Sequence, residues 1–376
     1  MKIIHVIPNL KRGGAERLCI DICNQLKKQG NDVHIVTFSD DNEYPELIDE
    51  LDIHVIPALY RPSIIKSNII EVELLENFIS DIKPDIIHSH LYEADLVLFQ
   101  LKLNSSIKVI SHIHSNRKEL IKTNKNRSLK EIITSTYERK IYKKHLKRLG
   151  VTQVAISEDC QNFALNELKQ SNSNVILLKN CIDFNKFKGA PKTINVDGGK
   201  LNLINIGRFV PKKAQEFLIE VATELNQRAI NFNITFLGDG DQLKKITRKS
   251  KEAKLEDYLK FPGIVQNPEA HLKSAHIYIH SAKEEPFGLV LIEAMAAGLP
   301  VISTDGFGNR DIIKENQNGF MVWKRDPIEF CDRIQQLYEN PALYKKMSEY
   351  SIKFASNFDV KNYVEKLMKI YSEKIN

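Results

Sequence analysis

The chain has 376 residues, 42% hydrophobic and 27% charged, which suits two domains with a core each and excludes a disordered polymer. Its first eight residues make too short an apolar run for a secretory signal, and the most apolar stretch, 288–303, is interrupted by Glu293 and Pro300; a cytoplasmic protein is expected. The net charge of +6 is concentrated, because the window between Arg117 and Arg148 holds twelve Lys or Arg against three Asp or Glu, an excess that suits an anionic partner surface.

Along the chain, short apolar runs alternate with amphipathic ones. Strands are expected at 3–7, 33–38, 53–56, 86–88, 109–113, 151–156 and 175–177, and helices at 15–29, 69–82, 94–101, 129–147 and 158–169. Continuous apolar strands separated by helices point to a parallel sheet covered on both faces. Residues 186–200 are polar, contain Gly and Pro, and lack apolar periodicity, so they read as a linker. The alternation then restarts with strand 201–206, helix 213–227, strand 232–237, helix 242–253, strand 277–280, helix 289–297 and strand 301–303. The last run carries Val360, Tyr363, Val364, Leu367, Met368 and Tyr371 at helical spacing, a stripe that must be buried. The expected architecture is α/β: two Rossmann-like parallel-sheet domains, 1–185 and 186–357, facing a cleft, with helix 358–376 packed back on the first.

Two further features are read from composition. Cys19 and Cys23 lie one helical turn apart, but no neighbouring His or Cys completes a metal-ligand spacing, so all five cysteines are expected to be buried free thiols. Inside the basic window, residues 137–149 read as a basic helix with Tyr137, Ile141, Tyr142, Leu146 and Leu149 interleaved. An anionic phospholipid surface fits that pattern better than nucleic acid, for which neither zinc-finger spacing nor an aromatic–basic RNA motif is present. A solvated charged helix is the plainer alternative.

The strongest chemical signal is Glu284-Glu285-Pro286-Phe287-Gly288-Leu289, which follows strand 277–280 and opens a helix. The first amides of a helix lack intrahelical acceptors, and at the carboxyl end of a parallel strand they suit a diphosphate. Gly288 allows close backbone approach. Glu293 lies in a helix apolar nearly all round; a buried carboxylate there needs a partner inside the core or a ligand. Gly207-Arg208 and Lys213 put two cations at the end of strand 201–206, where a planar fork and a mobile point charge can meet one phosphate pair, or stand as surface cations around a turn. Gly238-Asp239-Gly240-Asp241 is a glycine turn at a third strand end. Gly13-Gly14-Ala15-Glu16-Arg17 turns from the first strand of the chain into a helix.

Together these strings resemble glycosyltransferase family 4, along nearly the whole chain. Glu285 and Glu293, with seven residues between them, match the family's paired glutamates, and Gly207-Arg208 with Lys213 matches its diphosphate turn. Gly13-Gly14-Ala15-Glu16-Arg17 is similar to the N-terminal loop of bacterial polysaccharide members. The resemblance implies the GT-B fold and a retaining transfer from a nucleotide diphosphate sugar, UDP-sugar favoured, to a glycan or lipid-diphosphate acceptor of capsule, O-antigen or exopolysaccharide. It implies that Arg208 and Lys213 neutralise the diphosphate, Glu285 contacts the donor sugar and Glu293 the ribose. Backbone around Phe287, Gly288 and Leu289 would meet sugar and phosphate, with Gly14 and Gly238 also at the donor and Ile264 and Val265 at the base. His114 would stand near the reacting centre, with Glu16, Arg17 and His112 toward the acceptor. Ala214 after the lysine, Pro286, Cys181 and the string Thr304–Arg310 depart from the family pattern; they bear on donor identity and remove no charged group.

Charge building on the β-phosphate would be stabilised by fixed cations and helix amides. No metal or cofactor is therefore expected, and Asp239-Gly240-Asp241 reads as a chance Asp-x-Asp in a turn. No protein nucleophile is assigned. The competing readings are a sugar-nucleotide epimerase or phosphorylase on the same architecture, separable by product analysis, and a non-catalytic nucleotide-sugar-binding protein, which would bind donor without transfer. A dinucleotide dehydrogenase would need a Gly-x-Gly-x-x-Gly turn that the first strand lacks. Peripheral attachment to the inner face of the cell membrane follows if the basic window meets lipid.

Overall fold

The computed structural model describes residues 1–61, 68–116, 129–194 and 199–373, with backbone only at 130 and 131. Residues 117–128 of the basic window and 195–198 of the expected linker lie outside the described residues. The chain divides into two compact units, Met1–Asn180 with Val360–Asn376, and Cys181–Asp359. The division precedes residue 185 because the Ile182 amide donates to the Phe358 carbonyl at 2.9 Å and the short helix Phe184–Phe187 packs on helix Leu289–Ala296, both within the second unit.

The strands of the first unit are β1 (Lys2–Val6), β2 (Asp32–Thr37), β3 (Asp52–Val55), the hairpin β4 (Leu59–Arg61) and β5 (Ile69–Glu71), β6 (Ile86–His90), β7 (Lys108–Ile113), β8 (Thr152–Ala155) and β9 (Val175–Leu177). Among the described residues, seven of them form a parallel sheet in the order β3-β2-β1-β6-β7-β8-β9. Side chains alternate between its faces. Ile4, Val6, Ile87 and Val109 enter a core with Leu75, Ile79, Phe99 and Leu146. His5, His88, His90 and His112 share the opposite face, since His5 pairs with His88 and His90 with His112 in register. Helix Val360–Ser372 packs on helix Gly14–Lys28 in this unit. Its Tyr371 Oη lies 2.6 Å from His88 Nδ1.

The second unit carries β10 (Leu201–Ile206), β11 (Phe232–Leu237), β12 (Leu259–Gly263), β13 (Ile277–His280), β14 (Val301–Thr304) and β15 (Gly319–Val322), paired in parallel in the order β12-β11-β10-β13-β14-β15. Strand order reverses between β10 and β13, and the loops leaving the carboxyl ends of such a pair form the crevice where open α/β sheets bind ligands.

Several elements differ from expectation. Residues 69–71 pair as an exposed antiparallel strand, and the helix begins only at Glu73. The helix expected from 213 starts at Phe217, because Pro211–Lys213 form a 3₁₀ turn closed by Ala214 at φ +50°. That left-handed conformation costs a non-glycine residue about 1 kcal/mol; it is where the family pattern has Gly. The helix from Glu158 ends at Asn162 and continues as a wider π turn, Phe163–Glu167. The basic helix Leu129–Leu149 uses Tyr142 and Leu146, at 5% and 2% exposure, in its own unit's core, so these two are not available to a lipid surface. No helix among the described residues is long and apolar enough to cross a membrane.

Candidate functional site

In the second unit, four strand-end loops meet at the carboxyl edge of the sheet. The Gly207 amide donates to Leu237 O at 3.0 Å, Phe209 to Asp239 O at 2.8 Å and Gly238 to Gly263 O at 2.8 Å, tying the loops after β10, β11 and β12 side by side. The approach is close: a Cβ at Gly238, where φ is +132°, would sit 2.2 Å from Gly207 O. The β10 and β13 loops are joined by Lys283 N donating to Lys212 O at 2.8 Å and Ser281 Oγ to Lys213 O at 2.9 Å.

These ties bring Lys213 onto Glu285. The Lys213 ammonium and the Glu285 carboxylate form an ion pair, and His280 Nε2 lies 3.0 Å from the same carboxylate oxygen. Glu285 is 6% exposed. Burial alone would raise its pKa, but the Lys213 charge and the His280 ring outweigh that, so the carboxyl lies well below its ordinary range. Burial lowers His280, so the ring is neutral at physiological pH. Arg208 is exposed and makes no ion pair among the described residues. Lys213 Cε would lie 4.0 Å from a Cβ at Gly207, which puts its stem against the residue before Arg208.

The second side of the loop is equally fixed. The Glu285 amide donates to Gly306 O at 2.8 Å, the Gly308 amide to Glu285 O at 2.9 Å, and a Cβ at Gly308 would fall 2.0 Å from Pro286 O. Fully buried Asn309 organises the 304–308 loop: its Oδ1 accepts from Gly306 N at 2.9 Å and its Nδ2 donates to Ser303 Oγ and Thr304 O at 2.8 Å each. Gly288, φ +103°, then stands at the N-cap of helix Leu289–Ala296 with no side-chain cap; the Leu291 amide donates to Gly288 O at 2.9 Å, which leaves the Leu289 and Val290 amides to an external acceptor. The Phe287 ring is 2% exposed and packs near Phe358, so only backbone can serve a ligand there. Glu293 is partly buried, where a fully buried carboxylate was expected; Leu289 and Val290, on the same side of the helix, are partly exposed too. At the end of β12, Gly263 has φ +80°, and beyond it Ile264 is 52% exposed and Val265 partly exposed. Asp239 Oδ1 accepts from Gly240 N at 2.7 Å, which employs that carboxylate in its own turn.

The first unit holds the other expected residues. Gly14 opens helix Gly14–Lys28, and Glu16 folds over Gly13, whose Cβ would lie 2.1 Å from Glu16 Oε2. Arg17 Nε donates to both oxygens of Asp21 at 2.9 Å. His112, expected at an acceptor, is 1% exposed and stacks on His114 with centroids 4.4 Å apart; it shares that residue's face but lies deeper in β7, under Tyr363 and 3.4 Å from that hydroxyl. His114 is partly exposed, and burial pushes its pKa down to about 3, so it is a neutral hydrogen-bonding ring.

Sequence reasoning missed the partners of these groups. His90 Nδ1 lies 3.0 Å from His114 Nε2, and His90 Nε2 lies 2.9 Å from His5 Nδ1, giving a chain of three imidazoles. The signal was His-x-His at the ends of β6 and β7, a period of two that sends alternate histidines to one face. His280 was visible only as a polar residue closing an apolar strand. His5 also approaches Cys19 and Cys23, a grouping that linear cysteine spacing hid because the third member comes from β1.

Residues 12–186 match Glycosyltransferase Family 4, and residues 188–354 match glycosyl transferases group 1. An uncharacterized glycosyltransferase of Haemophilus influenzae is 23% identical over 94% of each chain. The N-acetyl-alpha-D-glucosaminyl L-malate synthase of Bacillus anthracis is 22% identical, over 90% of this chain and 87% of that one. Among solved structures, HepE of Anabaena in complex with UDP and glucose aligns with TM-score 0.79 at 20% identity, covering 100% of both chains, a likeness of fold.

Proposed function

We propose, from the premise that this chain belongs to glycosyltransferase family 4, that it moves a sugar with retention from a UDP-sugar to a glycan or lipid-diphosphate acceptor in cell-surface polysaccharide assembly. That it is a glycosyltransferase follows from the family. The observation that carries the donor reading is the Lys213–Glu285–His280 cluster beside exposed Arg208 and an uncapped helix N-terminus, all at the strand-order reversal between β10 and β13. Two cations and oriented amides suit a diphosphate. Glu285, held ionised, accepts hydrogen bonds from sugar hydroxyls; Glu293 serves the ribose, and the Ile264–Val265 backbone the base. His114 hydrogen-bonds a substrate hydroxyl as a neutral ring.

In the transfer, the acceptor oxygen bonds the anomeric carbon as the bond from that carbon to the phosphate oxygen breaks. The acceptor proton passes to the leaving β-phosphate. Arg208, Lys213 and the amides take up the charge that builds there. No divalent metal is assigned to the diphosphate, since fixed cations already meet it. A thermal-shift screen of nucleotide sugars should select one UDP-sugar, whose product NMR shows transfer with retained anomeric configuration; epimerised or phosphorolysed donor would refute the reading. Turnover should persist in EDTA, and loss restored by Mn²⁺ but not by Zn²⁺ would remove the metal-independent mechanism.

We place the contact with an anionic membrane on the exposed Lys140, Lys144 and Lys147 of helix Leu129–Leu149, with exposed Leu129 and Ile133 beside them. The chain should co-sediment with phosphatidylglycerol-containing vesicles and not with neutral ones, and a charge-reversed triple variant should stay in the supernatant. Equal behaviour with both vesicle types would refute it.

A further inference from the structure

The histidine-bearing face of the first sheet carries a cluster that the transfer reaction does not use. Cys19 and Cys23 stand one turn apart on helix Gly14–Lys28, facing His5 of β1, and one ligating atom from each of the three lies within 4.8 Å of the others. All three side chains are 0% exposed, and both thiols are free. His5 Nδ1 is occupied by His90 Nε2 at 2.9 Å, which leaves His5 Nε2 as a buried ring nitrogen without a hydrogen-bond partner. Buried polar atoms of that kind call for a ligand or other explanation.

We propose that His5, Cys19 and Cys23 form a structural zinc site in the first unit. Thiolate and imidazole are the donors that zinc takes, whereas magnesium and calcium need oxygen. Charge selects within the thiophilic metals: two thiolates, a neutral imidazole and Zn²⁺ sum to zero, while Cu⁺ would leave a net negative charge in an apolar interior. Binding replaces two S–H bonds by two S–Zn bonds and releases two protons to solvent. The outer partner is already in place. With Nε2 on the metal, His5 Nδ1–H would donate to His90 Nε2, 2.9 Å away, in the manner of oriented metal-bound histidines. The fourth position falls to a water or to His88, whose Nε2 is also buried and unpartnered and whose ring centroid is 4.9 Å from that of His5. The metal would clamp β1 to its following helix. It has no part in the diphosphate chemistry, and the proposal stands whether or not the donor assignment does.

The test titrates Co²⁺ into the full-length, reduced, chelator-stripped chain. One Co²⁺ per chain is expected, with thiolate-to-cobalt charge-transfer absorption in the near ultraviolet and strong tetrahedral bands in the visible, all displaced by one equivalent of Zn²⁺. The double variant Cys19→Ser/Cys23→Ser should lose these bands, and Cys160→Ser/Cys331→Ser should keep them. His90→Gln should keep them too, with zinc affinity about ten- to a hundredfold weaker. The wild-type chain supplies a readout that needs no variant: Zn²⁺ at a hundredfold excess over its Kd should raise Tm by about 5 °C, and Mg²⁺ should not. Absence of the charge-transfer bands in the wild type, their persistence in the folded Cys19→Ser/Cys23→Ser chain, or a Tm indifferent to Zn²⁺ would each overturn the site.

Discussion

Arg208→Ala and Lys213→Ala should each lower kcat/KM by roughly ten- to a thousandfold, the range for removing one group that stabilises developing charge. The two variants should nevertheless differ in character. Arg208 is exposed and has no ion-pair partner among the described residues, so its loss should leave Tm near the wild-type value and appear in turnover alone. Lys213 compensates Glu285, a carboxylate only 6% exposed, and stripping the partner from a buried ion pair costs about 3–5 kcal/mol. Lys213→Ala should therefore also lower Tm, and adding Glu285→Gln should restore much of the Tm while activity stays low. Steady-state kinetics with thermal melts on the three variants separates these outcomes. Near-normal turnover in Arg208→Ala/Lys213→Ala would remove the diphosphate assignment altogether.

Acid should unfold the first unit before the second. Burial, followed by the neighbouring imidazoles, holds His88, His90 and His112 well below the ordinary histidine value. Their unfolded value is about 6.5, so below that pH the unfolded chain binds more protons than the native one. Stability from this source is fully present above about pH 6.5 and is lost as pH falls, by about 1.4 kcal/mol per pH unit for each ring that stays neutral, or about 4 kcal/mol for the three. A domain with about 5–15 kcal/mol in hand gives up a large share of it as pH falls below the unfolded histidine value. Hydrogen-exchange mass spectrometry across a pH series should show amides of β6 and β7 losing protection while those of β10 and β13 keep it. Simultaneous loss in both units, or full protection of β7 at pH 4, would contradict the assignment of neutral buried rings.

Much of this was legible in the chain because the signals are local. Parallel buried strands are short apolar runs, and β9, β10, β11 and β13 fall at the residues their apolar patterns mark. The strands that escaped notice are edge strands: β12 contains Pro262 and Gly263, which an edge tolerates and a sequence pattern reads as a loop. Glu285 and the Arg208–Lys213 turn were visible because each sits just past a strand. Long-range facts were not visible. Nothing in the spacing of Lys213 and Glu285 announces an ion pair, since it depends on β10 and β13 being adjacent. Likewise His5, His90 and His114 become a chain only once β1, β6 and β7 lie side by side. Glu293 was misjudged because an apolar helix was assumed to be covered all round, and His112 because it shares a face with His114 but lies two residues deeper in the strand, buried under Tyr363.

The contact between Gly238 and the Gly207 carbonyl has an evolutionary corollary. The floor of the crevice is main chain packed on main chain, so it offers mutation almost no side chain to vary, and any added methyl would push the strand ends apart. If the donor binds as proposed, drift toward a different sugar or base would proceed at exposed rim positions such as Ile264 and Val265, while the main-chain floor stays the same.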